Sequence, residues 1–176
     1  MNIVTFIPPK LDRLDEQRGG LLIMFRFEER QPLVGVEGLI DWRLHGHLSR
    51  LIIDGFLSGN TDESLLVPLE RRLPHDNLIV FGLGPTEGFR EERFTGALKR
   101  MFRSMDKLDA SAPLTISLPG RSTNACSSAD AINWFLPVHD DLGSQRDITI
   151  IEPAMAQKAM LPAVERWRLK NSVPSS

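Results

Sequence analysis

The sequence predicts a three-layer α/β domain: a mixed sheet of roughly six strands with helices on both faces. Three observations carry this. Short apolar runs alternate with helix-period segments along most of the chain, the order expected when helices cover a sheet. The run Leu21-Leu-Ile-Met-Phe-Arg-Phe27 is apolar almost without a break, which suits a strand buried on both faces. Ser64–Leu69 and Asn77–Leu83 read as two strands joined too tightly for a helical crossover, so that pair is antiparallel and the sheet mixed.

The elements follow in order. Asn2–Ile7 is a strand stopped by Pro8-Pro9, and the charged residues 10–19 form a connector ending in Gly19-Gly20. From Val36 to Asp54 the period becomes helical. Val36, Ile40, Leu44, Leu48, Leu51 and Ile52 share one stripe, with Arg43, His47, Arg50 and Asp54 on another. Gly55 terminates this helix as a C-cap would. Glu70–Asp76 is a polar surface turn between the third and fourth strands. The next helix has the clearest face, built of Phe94, Ala97, Leu98, Met101, Phe102 and Met105. Ala112–Leu118 is a fifth strand, Ser127–Leu136 a helix, and Pro137 and Gly143 bracket a loop. Asp147–Ile151 is the sixth strand. The chain is helical from Glu152, with Pro162 expected to kink or split the helix. Residues 1–170 form one domain and 171–176 a polar tail.

Bulk properties narrow the function. A chain of 176 residues is one domain by size. Its 41% apolar and 25% charged residues are ordinary for a soluble globular protein. A net charge of −2 supplies no global attraction to nucleic acid or anionic membrane. Cys126 is the only cysteine, which excludes a disulfide framework and a cysteine-rich metal site within one chain. The N-terminus lacks the pattern of a secretory signal, and no window approaches the ~18 apolar residues of a membrane span. The default expectation is a cytoplasmic protein.

Residues 39–84 are the most informative stretch. Leu39-Ile-Asp-Trp-Arg-Leu-His-Gly-His-Leu-Ser-Arg-Leu51 leads to Gly55-Phe-Leu-Ser-Gly59, then to Ser64-Leu-Leu-Val-Pro68, then to Leu78-Ile-Val-Phe-Gly-Leu-Gly84. This string resembles the N-terminal domain of the leucyl aminopeptidase family, two-metal enzymes that remove N-terminal residues from peptides. The resemblance is most specific over residues 36–105 and topological beyond. It implies a macro-domain-like fold. It also implies that the metal-binding catalytic domain would begin roughly where this chain ends. That domain's signature Asn-Thr-Asp-Ala-Glu-Gly-Arg does not occur here, so no catalytic residue and no metal ligand are carried over, and no cofactor is expected.

Candidate ligand residues lie in two strand-to-helix loops, where a phosphate meets free backbone N–H groups. The first contains Gly82 and Gly84, but Pro85 removes a donor and Glu87, Glu91 and Glu92 oppose an anion. The second offers Gly120, Arg121, Ser122 and Thr123. Each also reads as an ordinary tight turn or helix cap. His45 and His47, two apart on one helix, point away from each other and cannot grip one ion. His139-Asp-Asp141 reads as a loop with no third ligand. Cys126 has no neighbouring histidine in sequence. Some members of the family bind DNA, but Arg43, His47 and Arg50 on an acidic chain are a small footprint and read as a solvated helix face.

Three readings of function follow. The first is a stand-alone, non-catalytic homologue of the family's N-terminal domain, acting in protein association or in regulating a peptidase assembly. It would work as a homodimer or with a separate peptidase subunit. Met155, Met160, Val164 and Trp167 supply the apolar surface that needs a cover. The second is a macro-like module that binds a nucleotide or ADP-ribose derivative. The third is a peptidase-related enzyme.

Overall fold

Leu21–Phe27 forms strand β2, and all seven of its residues are buried. The computed structural model describes residues 3–17, 19–29, 32–108, 112–119, 125–142 and 146–172. Around β2 lie β1 (Val4–Ile7), β3 (Ser64–Pro68), β4 (Asn77–Gly84), β5 (Leu114–Ile116) and β6 (Ile148–Ile151). The six-stranded sheet has the order β1-β6-β5-β2-β4-β3. Every neighbouring pair is parallel except β3 with β4, so the tight β3–β4 connection does make the sheet mixed.

Alternation along β2 divides the core. Leu21, Ile23, Phe25 and Phe27 face α4 (Glu91–Leu108), α5 (Ser128–Asp141) and α6 (Ala154–Ser172). Leu22 and Met24 face α1 (Leu11–Asp15), α2 (Gly35–Arg43) and α3 (His47–Ile53). The strand therefore needs apolar residues at odd and even positions alike, which is why its sequence does not alternate. The buried residues of α4 are the six read from its periodicity.

Several expectations are corrected. Residues 10–19 contain the short helix α1, because Leu14 is needed under the sheet and is fully buried. Val36–Asp54 is two helices. The break falls at His45 and Gly46, with φ of 56° and 74°, and the apolar stripe runs on across it through Ile40, Leu44 and Leu48. Asp41 makes the break tolerable. Its carboxylate accepts from the Leu48 and Ser49 amides at 2.8 and 3.2 Å and from the Ser49 hydroxyl, capping α3 from outside its own turn. Gly55, at φ 80°, closes α3 in a Schellman arrangement: its amide donates to Ile52 and that of Phe56 to Leu51.

The turn 70–76 is not wholly on the surface, since Leu73 and His75 are buried. The expected loop after Leu136 is also absent. Helix α5 runs through Pro137 to Asp141, and Pro162 does not split α6. Both prolines lie on exposed positions of their helices, so the lost hydrogen bonds face water while the apolar face continues uninterrupted. His139 is therefore a core residue on α5. It is stacked against Phe102 and Phe135 and tilted against Trp167, and neither ring nitrogen has a hydrogen-bond partner. Burial lowers its pKa.

Candidate functional site

The carboxyl ends of the parallel strands converge on a cavity of about 350 Å³. Phe25 and Phe27 enter it from β2, Val36 and Glu37 from the start of α2. Ser117, Leu118 and Pro119 follow β5, Ile151, Glu152 and Pro153 close β6, and Pro9 follows β1. Its position follows from topology. From β2 the chain leaves toward β3 on one side, whereas from β5 it leaves toward β6 on the other. Between two such strands no crossover covers the sheet end, and α/β sheets bind ligands in that crevice. A register shift between Arg26 and Phe27 against β4 lies at the same end, where bulges re-aim strand termini.

The walls are mostly apolar, with two carboxyl groups among the lining residues. Glu152 is 6% exposed and is already engaged within the protein. Glu37 is half-buried as a residue, but its carboxyl is strongly desolvated. Burial pushes its pKa up to about 7, opposed only by the positive charge of Arg26. Arg26 is itself buried in β2, and its Nε has no hydrogen-bond partner.

Pro119, the residue before the second candidate loop, belongs to the wall. Gly120, Arg121, Ser122 and Thr123 lie outside the described residues. Gly82 and Gly84 are not among the lining residues, and packing accounts for both. A side chain at Gly82 would drive into the Asn60 carbonyl, and Gly84, at φ 75°, would meet the Thr61 hydroxyl. The amide of Thr86 in that loop is already donated to Glu29 at 2.5 Å, so a carboxylate of the protein occupies a donor that a phosphate would need.

Cys126 sits beside the cavity's rim with its Sγ 3.5 Å from the Pro119 carbonyl. Burial, with Asp130 and Glu152 adding to it, pushes the thiol up to about 11, which keeps it protonated at neutral pH. His45 occupies the α2–α3 turn and His47 opens α3. Among the described residues no three His, Cys, Asp or Glu side chains are grouped to hold a metal ion. No helix among them is long and apolar enough to cross a membrane. Glu37 was not singled out from sequence. The only available signal was an acid in the first turn of a helix, which usually just complements the helix dipole.

Glu37 and His75 set opposing pH slopes. Glu37 titrates near 7 in the folded chain and near 4.3 unfolded, so its contribution is lost as pH rises through that interval. His75 is lowered to about 4 by burial, against a small opposing effect of Asp76. The unfolded chain then takes up protons that the folded one refuses, and stability is lost as pH falls from about 6.5 to about 4. We expect a shallow profile for the native sequence. Glu37→Gln should gain about 1–3 kcal/mol at pH 8 and almost nothing at pH 4, unmasking the acid-side loss. Urea unfolding at both pH values checks this, and an equal gain at both would refute it.

A family model described as "Cytosol aminopeptidase family, N-terminal domain" matches residues 23–133. A probable cytosol aminopeptidase of Thermosynechococcus vestitus is 28% identical over 128 residues, covering 72% of this chain and 26% of the relative. The chain thus spans about a quarter of the length of that relative. Among solved structures, a tomato leucine aminopeptidase mutant matches with a TM-score of 0.64 and 13% identity, over 95% of this chain and 36% of its own. The macro domain of ganglioside induced differentiation associated protein 2 reaches 0.71 at 11% identity, over 94% and 84% of the two chains. An Oceanobacillus iheyensis macrodomain solved with ADP reaches 0.64 at 13%, over 89% and 88%. At these identities the structural matches establish a macrodomain-like fold.

Proposed function

We propose, starting from the fact that this chain belongs to the cytosol aminopeptidase family by way of its N-terminal domain, that its cleft binds a small ligand of the nucleotide or ADP-ribose class. The carrying observation is the cavity at the carboxyl ends of β1, β2, β5 and β6, at the point where the connections diverge. Its volume and apolar walls suit a nucleobase. In sequence, Pro119 of the wall is followed directly by Gly120, Arg121, Ser122 and Thr123. A neighbour of the same fold was solved with ADP, which supports the choice of ligand class. A thermal-shift series with ADP-ribose, ADP and AMP tests the reading. A ligand at 100 times its dissociation constant is expected to add about 2.7 kcal/mol of stability. No shift with any of the three at millimolar concentration would end it.

A second reading, association with another copy or with a peptidase subunit, draws on a different surface. Met160, Val164 and Trp167 are absorbed by the chain's own core, which leaves Met155 and Leu169 of α6 exposed at 71% each. Trp42 and Phe56, each 69% exposed, and Ile53, 82% exposed, stand out around α2 and α3. Large apolar side chains in such numbers are the kind that partners cover. Sedimentation equilibrium over a hundredfold dilution is expected to show a dimer, and a monomer mass throughout would remove self-association.

A further inference from the structure

The sheet has two edges, and the chain treats them differently. At β1 the Ile3 and Ile7 carbonyls accept from β6, so that of Val4 points away from the sheet, and the Arg168 guanidinium of α6 donates to it at 2.6 Å. At β3 the Gly82 amide donates to the Glu63 carbonyl. Antiparallel pairing alternates from there, so Leu65 and Val67 bond to β4 while the N–H and C=O groups of Ser64 and Leu66 point outward. Among the described residues nothing outside the ladder hydrogen-bonds to the backbone of either. Pro68 takes the next outward position, where its missing N–H costs the ladder nothing. The strand carries no charge from Ser64 to Pro68 and leaves Leu66 42% exposed, although folded proteins usually blunt a free edge with charge or a cover. Beside Ser64, on the α4 face, lies a hollow of about 190 Å³ lined by Phe81, Asp62, Arg100, Arg103 and Ser104.

We propose that β3 is a docking edge for β3 of a second copy of this chain, added antiparallel about a two-fold axis. This rests on the self-association reading and moves its interface to the sheet edge. The strand is complementary to itself in one register. With Leu65 opposite Leu65 of the second copy, Ser64 faces Leu66, every outward N–H of one strand meets a C=O of the other, and Pro68 falls outside the ladder. With Leu66 opposite its own copy, the Ser64 carbonyl would face Pro68, which has no donor. Directly opposed residues point to the same face of a sheet. In the first register Leu66 of each chain therefore lies beside Ser64 of the other, at the hollow. Antiparallel addition also carries Asp62, ahead of one strand, toward Arg71, beyond the end of the other, and both are exposed. Parallel addition would set like ends together. Pairing about a two-fold uses up this edge on both chains, so the assembly closes as a dimer.

Hydrogen exchange of the native chain over a hundredfold dilution series tests this, read amide by amide beside sedimentation equilibrium. The Ser64 and Leu66 amides are expected to exchange slowly where the chain is dimeric and at least tenfold faster on dilution, while those of Leu65 and Val67 stay protected throughout. Leu66→Lys, which sets a cation against Arg100 and Arg103 of the other copy, should weaken the dimer at least tenfold. Phe56→Lys, just past α3, should leave it unchanged. The exchange measurement needs no variant, so it stands even if Leu66→Lys folds poorly. A dimer whose Ser64 and Leu66 amides exchange equally fast at every concentration would overturn the edge assignment and leave self-association to another surface. Loss of the dimer in Phe56→Lys alone would do the same. A monomer mass at every concentration would remove both the edge assignment and self-association.

Discussion

Phe102→Ala is expected to lower the stability of the domain by about 3–5 kcal/mol. Phe102 is 1% exposed in the middle of α4. Its ring lies 6.2 Å from that of Phe135 and 5.8 Å from the His139 imidazole, so it joins α4 to α5 as well as to the sheet. Truncation removes the transfer free energy of the ring and leaves a void that two stacked neighbours hold open. Burial lowers the pKa of His139, whose ring nitrogens have no hydrogen-bond partner; water entering the void relieves that desolvation, so the loss is expected to be smaller at low pH than at neutral pH. Leu98→Ala, one turn earlier on the same buried face, is expected to cost about 2–4 kcal/mol. Thermal melts of the two variants decide the matter. Near-native midpoints for both would mean that α4 does not bury this face.

The second large effect is expected at Asp41. This residue is 8% exposed and holds the first turn of α3 by three hydrogen bonds. Asp41→Ala leaves the Leu48 and Ser49 amides without an acceptor in a partly buried turn, at about 2–4 kcal/mol. Asp41→Asn keeps one carbonyl acceptor and should lose about half as much. The discriminating measurement is hydrogen exchange. Asp41→Ala should raise exchange in residues 47–53 well before it touches β2 or β4. Uniform loss of protection would show instead that α3 is not an independent unit.

Scaffold bonds of this kind account for many residues of the family string in residues 39–84. Asp41 caps, Gly46 and Gly55 supply left-handed backbone, and Gly59 admits the Phe27 carbonyl at a distance that no side chain allows. Glu63 ties down residues 58 and 59. These positions were conspicuous in the sequence because glycine and capping residues serve steric needs that few other residues meet.

Strands and the α4 face were readable for a related reason, since burial on one or both faces leaves a period. Helix α5 was misjudged because a proline was weighed against the helix. The helix's apolar face, Ile132, Phe135, Leu136 and Val138, spans that proline, and packing outweighs one hydrogen bond turned to water. The cleft was only half visible. The strand-to-helix connection that follows Pro119 of the wall stood out, but Glu37 is an ordinary first-turn acid until the ends of β1, β5 and β6 are brought around it. That gathering is long-range, and no local pattern encodes it.

The sheet order has a consequence for how the chain folds. Strand β1 has one neighbour, β6, with Val4 opposite Ile148 and Ile7 opposite Ile151. Strand β1 therefore waits for β6, far along the chain, before it can pair. Meanwhile β2, β3 and β4 can assemble through the short β3–β4 hairpin and α4. Closing a loop that long carries a large entropic penalty, repaid only by contacts formed at the end. Residues 4–7 should accordingly register late in refolding, with pulse-labelled amides of β1 protected after those of β4. Until then β6 has an open edge toward which any extended apolar segment can be drawn.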